Sequence, residues 1–172
     1  MINEKVQEAF NKQINEETFS AYLYWSMSAW FESINLPGFA NWMRVQAQEE
    51  MIHAMKFHTH ILERGGTVKL AALAEPKTQW GSPLEAFQDA YKHEQHITGC
   101  INSLVELAAG QKDHAAGPML QWFVNEQIEE EASADAVVQK LKMVGEAPSG
   151  LFLLDQEMAT RVFTPPPAQG QQ

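Results

Sequence analysis

Apolar residues return to one side of a helix along four long stretches of the chain. Ile14, Ala21, Tyr24 and Phe31 mark the first, and Met43, Phe57 and Ile61 the second. Phe87, Tyr91, Ile97, Ile101 and Leu104 mark the third, and Leu120, Phe123, Ala134, Val137 and Leu141 the fourth. Spacings built from threes and fours suit about 3.6 residues per turn and no pleated strand. The stretches 3–33, 39–64, 84–109 and 119–144 are rich in Ala, Leu, Met, Glu, Gln and Lys and hold no internal proline, so each is predicted to be one long helix. At about 1.5 Å per residue the second would run roughly 39 Å, the scale of a bundle.

Breaks fall at Asn35-Leu36-Pro37-Gly38, Gly65-Gly66, Gly81-Ser82-Pro83, Gly110 to Pro118, Gly145 to Gly150 and Thr164-Pro165-Pro166-Pro167. Short turns after the first and third helices imply antiparallel hairpins, whereas Gly65 to Pro83 is long enough to return along the bundle. The fold class is therefore all-α: a four-helix bundle of two hairpins joined by a long crossover between the second and third helices. Ser149 is expected to cap a short fifth helix carrying Leu151, Phe152, Leu153 and Leu154. One domain over 1–163 and a disordered tail over 164–172 complete the expectation.

Polar residues interrupt every stripe: Glu17 in the first helix, Glu50 and His53 in the second, Glu94 in the third, Gln127 and Glu130 in the fourth. Any one glutamate in a helix belongs on a solvated edge. Together these six obey a rule. Glu17 to Glu50 and Glu94 to Gln127 are both steps of 33, Glu50–His53 and Gln127–Glu130 are both steps of three, and one offset of 77 maps the first set onto the second. In an antiparallel hairpin, residues equally far from the turn lie side by side. The midpoint of Glu17 and His53 is residue 35 and that of Glu94 and Glu130 is 112, each inside a turn. Pairing the hairpins about a pseudo-twofold axis would bring all six to one level.

The balance of 22 Asp+Glu against 12 Lys+Arg gives a formal net charge of -10, and no basic cluster tracks a phosphate backbone, so nucleic acid is excluded as a partner and cations are favoured. The opening Met1-Ile2-Asn3-Glu4-Lys5-Val6-Gln7 lacks the basic start and apolar run of a signal peptide, and no stretch is apolar for long enough to span a bilayer, which points to a cytoplasmic protein with no membrane partner. Cys100, the single cysteine, can form no internal disulfide, and nothing near it in the sequence resembles a thiolate metal site; it reads as a small buried apolar residue. The histidines at 58, 60, 93, 96 and 114 show no convergence of their own. Four carboxylates gathered in a dry core would repel and lose hydration, and no Lys or Arg interrupts the stripes at their level. Two divalent cations balance the charges of Glu17, Glu50, Glu94 and Glu130, with neutral His53 and Gln127 completing the shell. Hard oxygen donors with one imidazole suit iron or manganese, and iron is preferred.

At Glu17, Ala47-Gln48-Glu49-Glu50-Met51-Ile52-His53, Tyr91-Lys92-His93-Glu94-Gln95 and Glu126-Gln127-Ile128-Glu129-Glu130-Glu131 the sequence resembles the bacterial non-haem ferritins, over nearly the whole chain except the tail. The general geometry, carboxylates and Glu-x-x-His projecting into a ferritin-like bundle, is a known use of this architecture. The resemblance implies a ferroxidase centre, with Glu17, Glu50 and His53 around one iron, Glu50, Glu94 and Glu130 around the second, Glu50 bridging, and Gln127 near the oxygen-binding face. It implies a third iron site from Glu49, Glu126, Glu129 and Glu130, and a role for Tyr24 as a one-electron donor with Trp122 as its partner. It also implies a hollow shell of twenty-four copies that oxidises Fe(II) with oxygen or peroxide and stores ferric mineral. Met51 stands where bacterioferritins carry a haem-ligating methionine, but it reads as a packing residue and haem is not expected.

Two departures matter. Gln127 and Glu130 replace the second Glu-x-x-His of bacterioferritin, removing an imidazole and a negative charge, so the second iron is held less tightly and can move on into storage. Animal ferritins line their threefold pores with carboxylates, and Ala115-Ala116-Gly117-Pro118-Met119-Leu120 offers none. The rival readings are a rubrerythrin-like di-iron oxidase or peroxidase that retains its metal, and a non-enzymatic helical interaction module.

Overall fold

The computed structural model describes residues 1–145 and 147–164. Five helices account for its regular structure: α1 (Glu4–Ser33), α2 (Pro37–Glu63), α3 (Pro83–Gly110), α4 (Gly117–Val144) and α5 (Pro148–Met158), with no strand among the described residues. The boundaries fall within two residues of those predicted. Proline stands in the first turn of α2, α3, α4 and α5, where its missing N–H costs nothing and its fixed φ suits the helix. The expected cap by Ser149 is corrected: α5 begins at Pro148 with Ala147 before it, so Ser149 lies inside the first turn. The tail expected over 164–172 lies, from residue 165 onward, outside the described residues.

Both hairpins turn in the same way. Asn35 (φ 60°) and Lys112 (φ 57°) occupy the left-handed region and stand at the two midpoints, 77 residues apart. Leu36 N–H donates to Phe31 O at 3.0 Å and Asp113 N–H to Ala108 O at 2.9 Å, the same six-to-one closure at the same offset. The internal repeat in the sequence is thus a repeat of backbone geometry.

The crossover, residues 64–82, runs along α1 from its start to its end. Asn11 binds Thr67 O (3.1 Å) and Lys69 N (2.7 Å), Asn15 reaches Ala72 O (3.2 Å), Ser26 reaches Lys77 O (2.8 Å), and Trp80 packs edge-on against Trp30 with ring centroids 5.5 Å apart. Side chains of α1 therefore satisfy the loop's backbone groups, as a surface segment without secondary structure requires. The third helix then starts level with the end of the first, so α3 runs parallel to α2.

Short α5 closes one end of the bundle. Leu36, which precedes α2, supplies no side-chain cap. Asp155 of α5 does so instead, its Oδ1 accepting from Gly38 N (2.8 Å) and Phe39 N (3.0 Å) while 4% exposed. A Cβ at residue 38 would sit 1.7 Å from the carbonyl oxygen of Asp155, so only glycine permits this approach. Asp155→Ala is expected to cost on the order of 1–3 kcal/mol, because two buried N–H donors lose their acceptor. Urea unfolding monitored by circular dichroism reads this directly; a loss under about 0.5 kcal/mol would show that water replaces the carboxylate. Leu154 and Met158 are buried beneath α5, whereas Phe152 (63%) and Leu153 (68%) face outward.

The interior divides into two apolar clusters. One, near the α1–α2 turn, gathers Tyr24, Met27, Phe31, Phe39, Trp42, Met43, Phe87, Val137 and Leu141. The other, near the α3–α4 turn, gathers Phe10, Ile14, Phe57, Ile61, Ile97, Ile101, Leu120 and Phe123, with Phe57 stacked on Phe123 at 4.3 Å. A polar layer separates them.

Candidate metal centre

That layer contains all six interrupting residues. Glu17 (0%), Glu50 (1%), His53 (3%), Glu94 (1%), Gln127 (3%) and Glu130 (5%) are all buried. One side chain comes from α1, two from α2, one from α3 and two from α4, at the shared height that the hairpin midpoints require. Among the described residues no Lys or Arg pairs with the four carboxylates; His53 Nδ1 lies 3.2 Å from Glu50 Oε2.

Burial is the leading reason that the carboxyls of Glu17, Glu50 and Glu130 titrate well above their ordinary range. Repulsion adds to it: Glu50 acts on Glu17, Glu94 acts on Glu50, and both Glu50 and Glu94 act on Glu130. Glu94 is raised by the same burial, opposed by hydrogen bonds from Tyr24 and Gln127. Without a cation the layer therefore holds protons that it would release to a metal.

Ligand atoms of Glu17, Glu50 and His53 lie within 4.8 Å of one another, and Glu17 Oε2 is buried with no hydrogen-bond partner. An orphaned carboxylate oxygen beside an imidazole and a second carboxylate is what a cation-binding position requires. The grouping is that expected for the first iron. The second set is not drawn together in the same way. Tyr24 donates its hydroxyl hydrogen to Glu94 Oε1, and Gln127 Nε2 donates to Glu94 Oε2 at 3.2 Å. Glu130 Oε2 accepts from Gln46 Nε2, which also reaches Glu50 Oε1 at 3.3 Å. Amide and phenol donors satisfy these oxygens.

Two of these donors are absent from the sequence reading. Gln13 holds Glu17 Oε1 at 3.0 Å, and Gln46 spans Glu50 and Glu130. Each stands four residues before a glutamate of the layer, and Gln13 to Gln46 is again a step of 33, so the signal was present. The offset of 77 leads instead to Ala90 and Phe123, which leaves the second hairpin without equivalents.

The remaining candidates separate. Glu126 joins His53 and Glu130 in a second group within 4.8 Å, and its carboxyl is raised first by burial. Glu49 is drawn aside by Arg161, whose guanidinium also lies 4.2 Å over the Trp42 ring, and Glu129 is exposed. Tyr24 is 1% exposed and touches the layer through Glu94. Trp122 packs edge-on against His53 at 5.5 Å rather than beside Tyr24. Met51, read as a packing residue, is 44% exposed on the outer side of α2. The expectations for Cys100 and His96 are corrected as well. The thiol is only half-buried, and Cys100, His96 and Glu16 present ligand atoms within 4.8 Å of one another; the reading failed because Glu16 arrives from another helix.

A helical bundle with a buried layer of carboxylates, one imidazole and an orphaned oxygen has the donor set of a bundle that could hold a metal. A model of the ferritin-like domain matches residues 7–144, and the chain belongs to that family. It is similar to the bacterial non-heme ferritin of Bacteroides fragilis, 44% identical over 94% of this chain and 100% of that protein. With the bacterial non-heme ferritin of Campylobacter jejuni it shares 40% identity over 91% of this chain and 93% of that one. Among solved structures, an open-pore ferritin from the hyperthermophilic archaeon Archaeoglobus fulgidus superposes with a TM-score of 0.93 at 53% identity, covering 94% of this chain and 100% of that one. A closed form of the A. fulgidus ferritin, engineered by site-directed mutagenesis, gives 0.94 at 54% identity, over 95% and 100%.

Proposed function

We propose that this chain is an iron-storage ferritin that oxidises Fe(II) at the buried carboxylate layer and deposits ferric mineral inside a hollow shell of its own copies in the cytoplasm. The observation that carries the reading is Glu17 Oε2, buried without a partner against Glu50 and His53. Fe(II) is the substrate, and the layer is built to accept it by exchanging protons for metal. Glu17, Glu50 and His53 take the first ion. Glu50, Glu94 and Glu130 take the second once the amides of Gln46 and Gln127 turn aside, and Glu50 spans both.

Each Fe(II) gives one electron. The pair reduces one dioxygen to hydrogen peroxide, or one hydrogen peroxide to two water molecules, in each case with two protons, and neither ion need act alone. Tyr24, bonded to Glu94, is placed to supply a further electron through that carboxylate. Glu126, close to His53 and Glu130, receives a third ion or oxidised iron on its way out, with Glu129 further along. Glu49 joins only if it leaves Arg161. The amide of Gln127, in place of a charged or imidazole ligand, keeps the second position weak, as passage into storage requires.

The test is stoichiometry on the intact assembly. Size-exclusion chromatography should give a particle near twenty-four chains, and anaerobic Fe(II) titration should saturate at three ions per chain, falling to two in Glu126→Gln. On admitting oxygen the iron should remain soluble inside the particle. A small oligomer that keeps two irons per chain through repeated turnover would instead identify a metal-retaining oxidase.

A further inference from the structure

A second cluster of metal-binding side chains lies outside the carboxylate layer, where α1 packs on α3. His96 and Cys100 stand four residues apart on α3, on one side of that helix, and Glu16 reaches them from α1. His96 Nε2 lies 3.1 Å from Glu16 Oε2 and 3.6 Å from Cys100 Sγ. His96 and Glu16 are 57% and 39% exposed at the side chain, so the cluster opens to solvent.

One ring nitrogen faces a carboxylate oxygen and a thiol sulfur at once, so three side chains that commonly ligate metals converge from two helices. A cation among the three would take a lone pair from each. The spacings agree with such an ion. Tetrahedral zinc, with Zn–S about 2.3 Å and Zn–N about 2.0–2.1 Å, sets sulfur and nitrogen roughly 3.6 Å apart and nitrogen and oxygen roughly 3.3 Å apart. The observed separations lie within a few tenths of an ångström of these.

We propose that Glu16, His96 and Cys100 form a solvent-facing site for a single zinc-class divalent cation, bound through carboxylate oxygen, imidazole nitrogen and thiolate sulfur, with the fourth position open to water. Thiolate with imidazole favours zinc or cobalt over the hard-oxygen preference of the buried layer, so the two sites sort metals by ligand softness. Binding displaces the thiol proton, which burial and the neighbouring Glu16 and Glu17 otherwise hold more tightly than usual. Glu16 belongs to the first hairpin, and His96 and Cys100 to the second, so the ion also cross-links the two halves of the bundle. None of this requires iron oxidation.

The single cysteine makes the experiment selective. Cobalt(II) titrated into the assembled, demetallated protein also fills the carboxylate layer, but only Cys100 can give a thiolate-to-cobalt charge-transfer band. That band should saturate at one equivalent per chain, vanish in Cys100→Ser, and require at least about tenfold more cobalt in His96→Ala and Glu16→Gln, the loss that even outer-shell changes produce at metal sites. Zinc should slow alkylation of Cys100 by iodoacetamide in the parent protein and fail to do so in His96→Ala. Cys100→Ser should oxidise iron at the parent rate. Absence of the band, or a band unchanged in both His96→Ala and Glu16→Gln, would overturn the site, the second because the thiol would then be binding alone.

Discussion

Glu50→Ala is expected to lower the initial rate of Fe(II) oxidation by more than about 100-fold, beyond the loss typical when only a supporting residue of a metal site is removed. Glu50 is the one carboxylate that faces both halves of the layer: His53 at 3.2 Å, Gln46 at 3.3 Å, Glu17 in the same ligand group, and Glu94 and Glu130 through space. In the proposed centre, removing it would separate the two ions whose electrons are given together. The fold should persist, because the substitution deletes a group whose burial opposes ionisation, and circular dichroism checks this. Stopped-flow absorbance after aerobic Fe(II) addition reads the rate. An unchanged rate would falsify the bridging role and with it the proposed centre.

Glu17→Gln should make the metal-free protein more stable at neutral pH, and less responsive to Fe(II). Folding raises the carboxyls of Glu17, Glu50 and Glu130 well above the ordinary value of 4.5, so the folded chain binds protons more tightly than the unfolded one. The sign follows from linkage. The stability those protons confer is complete below about pH 4.5 and is lost as pH rises toward the raised values. Glutamine imitates the protonated acid at every pH, so parent and variant should melt alike in acid and diverge toward neutrality, the variant ahead by on the order of 1–2 kcal/mol. Anaerobic Fe(II) should raise the melting midpoint of the parent and much less that of the variant. Superimposable pH profiles would mean that Glu17 keeps its charge hydrated and is not desolvated at all.

Both expectations rest on one arrangement: two apolar clusters of ordinary packing with a costly polar layer between them. The layer is tolerable as protonated acid or as metal salt, and poor as a set of free anions. Such a site gives up stability in the empty state for affinity in the loaded one.

The sequence by itself determined the all-α class, the four long helices, the two hairpins and the level at which Glu17, Glu50, His53, Glu94, Gln127 and Glu130 meet. These depend on local rules: 3.6-residue periodicity, proline and glycine punctuation, and the fact that antiparallel helices pair residues equidistant from a turn. The hairpin midpoints at 35 and 112 fall on Asn35 and Lys112, the two non-glycine residues with positive φ among those described. Only the tertiary structure decided which oxygens are left bare and which are held by amides, because that depends on side chains meeting from different helices. It brought Gln46 between Glu50 and Glu130, gave Glu49 to Arg161, set Asp155 on the start of α2, and carried Glu16 across to His96 and Cys100. Glu49 with Arg161, Asp155 with Gly38 and Glu16 with His96 share none of the steps of 33 or 77 that mark the layer, since their contact is fixed by how the helices pack and not by anything either residue's neighbours reveal.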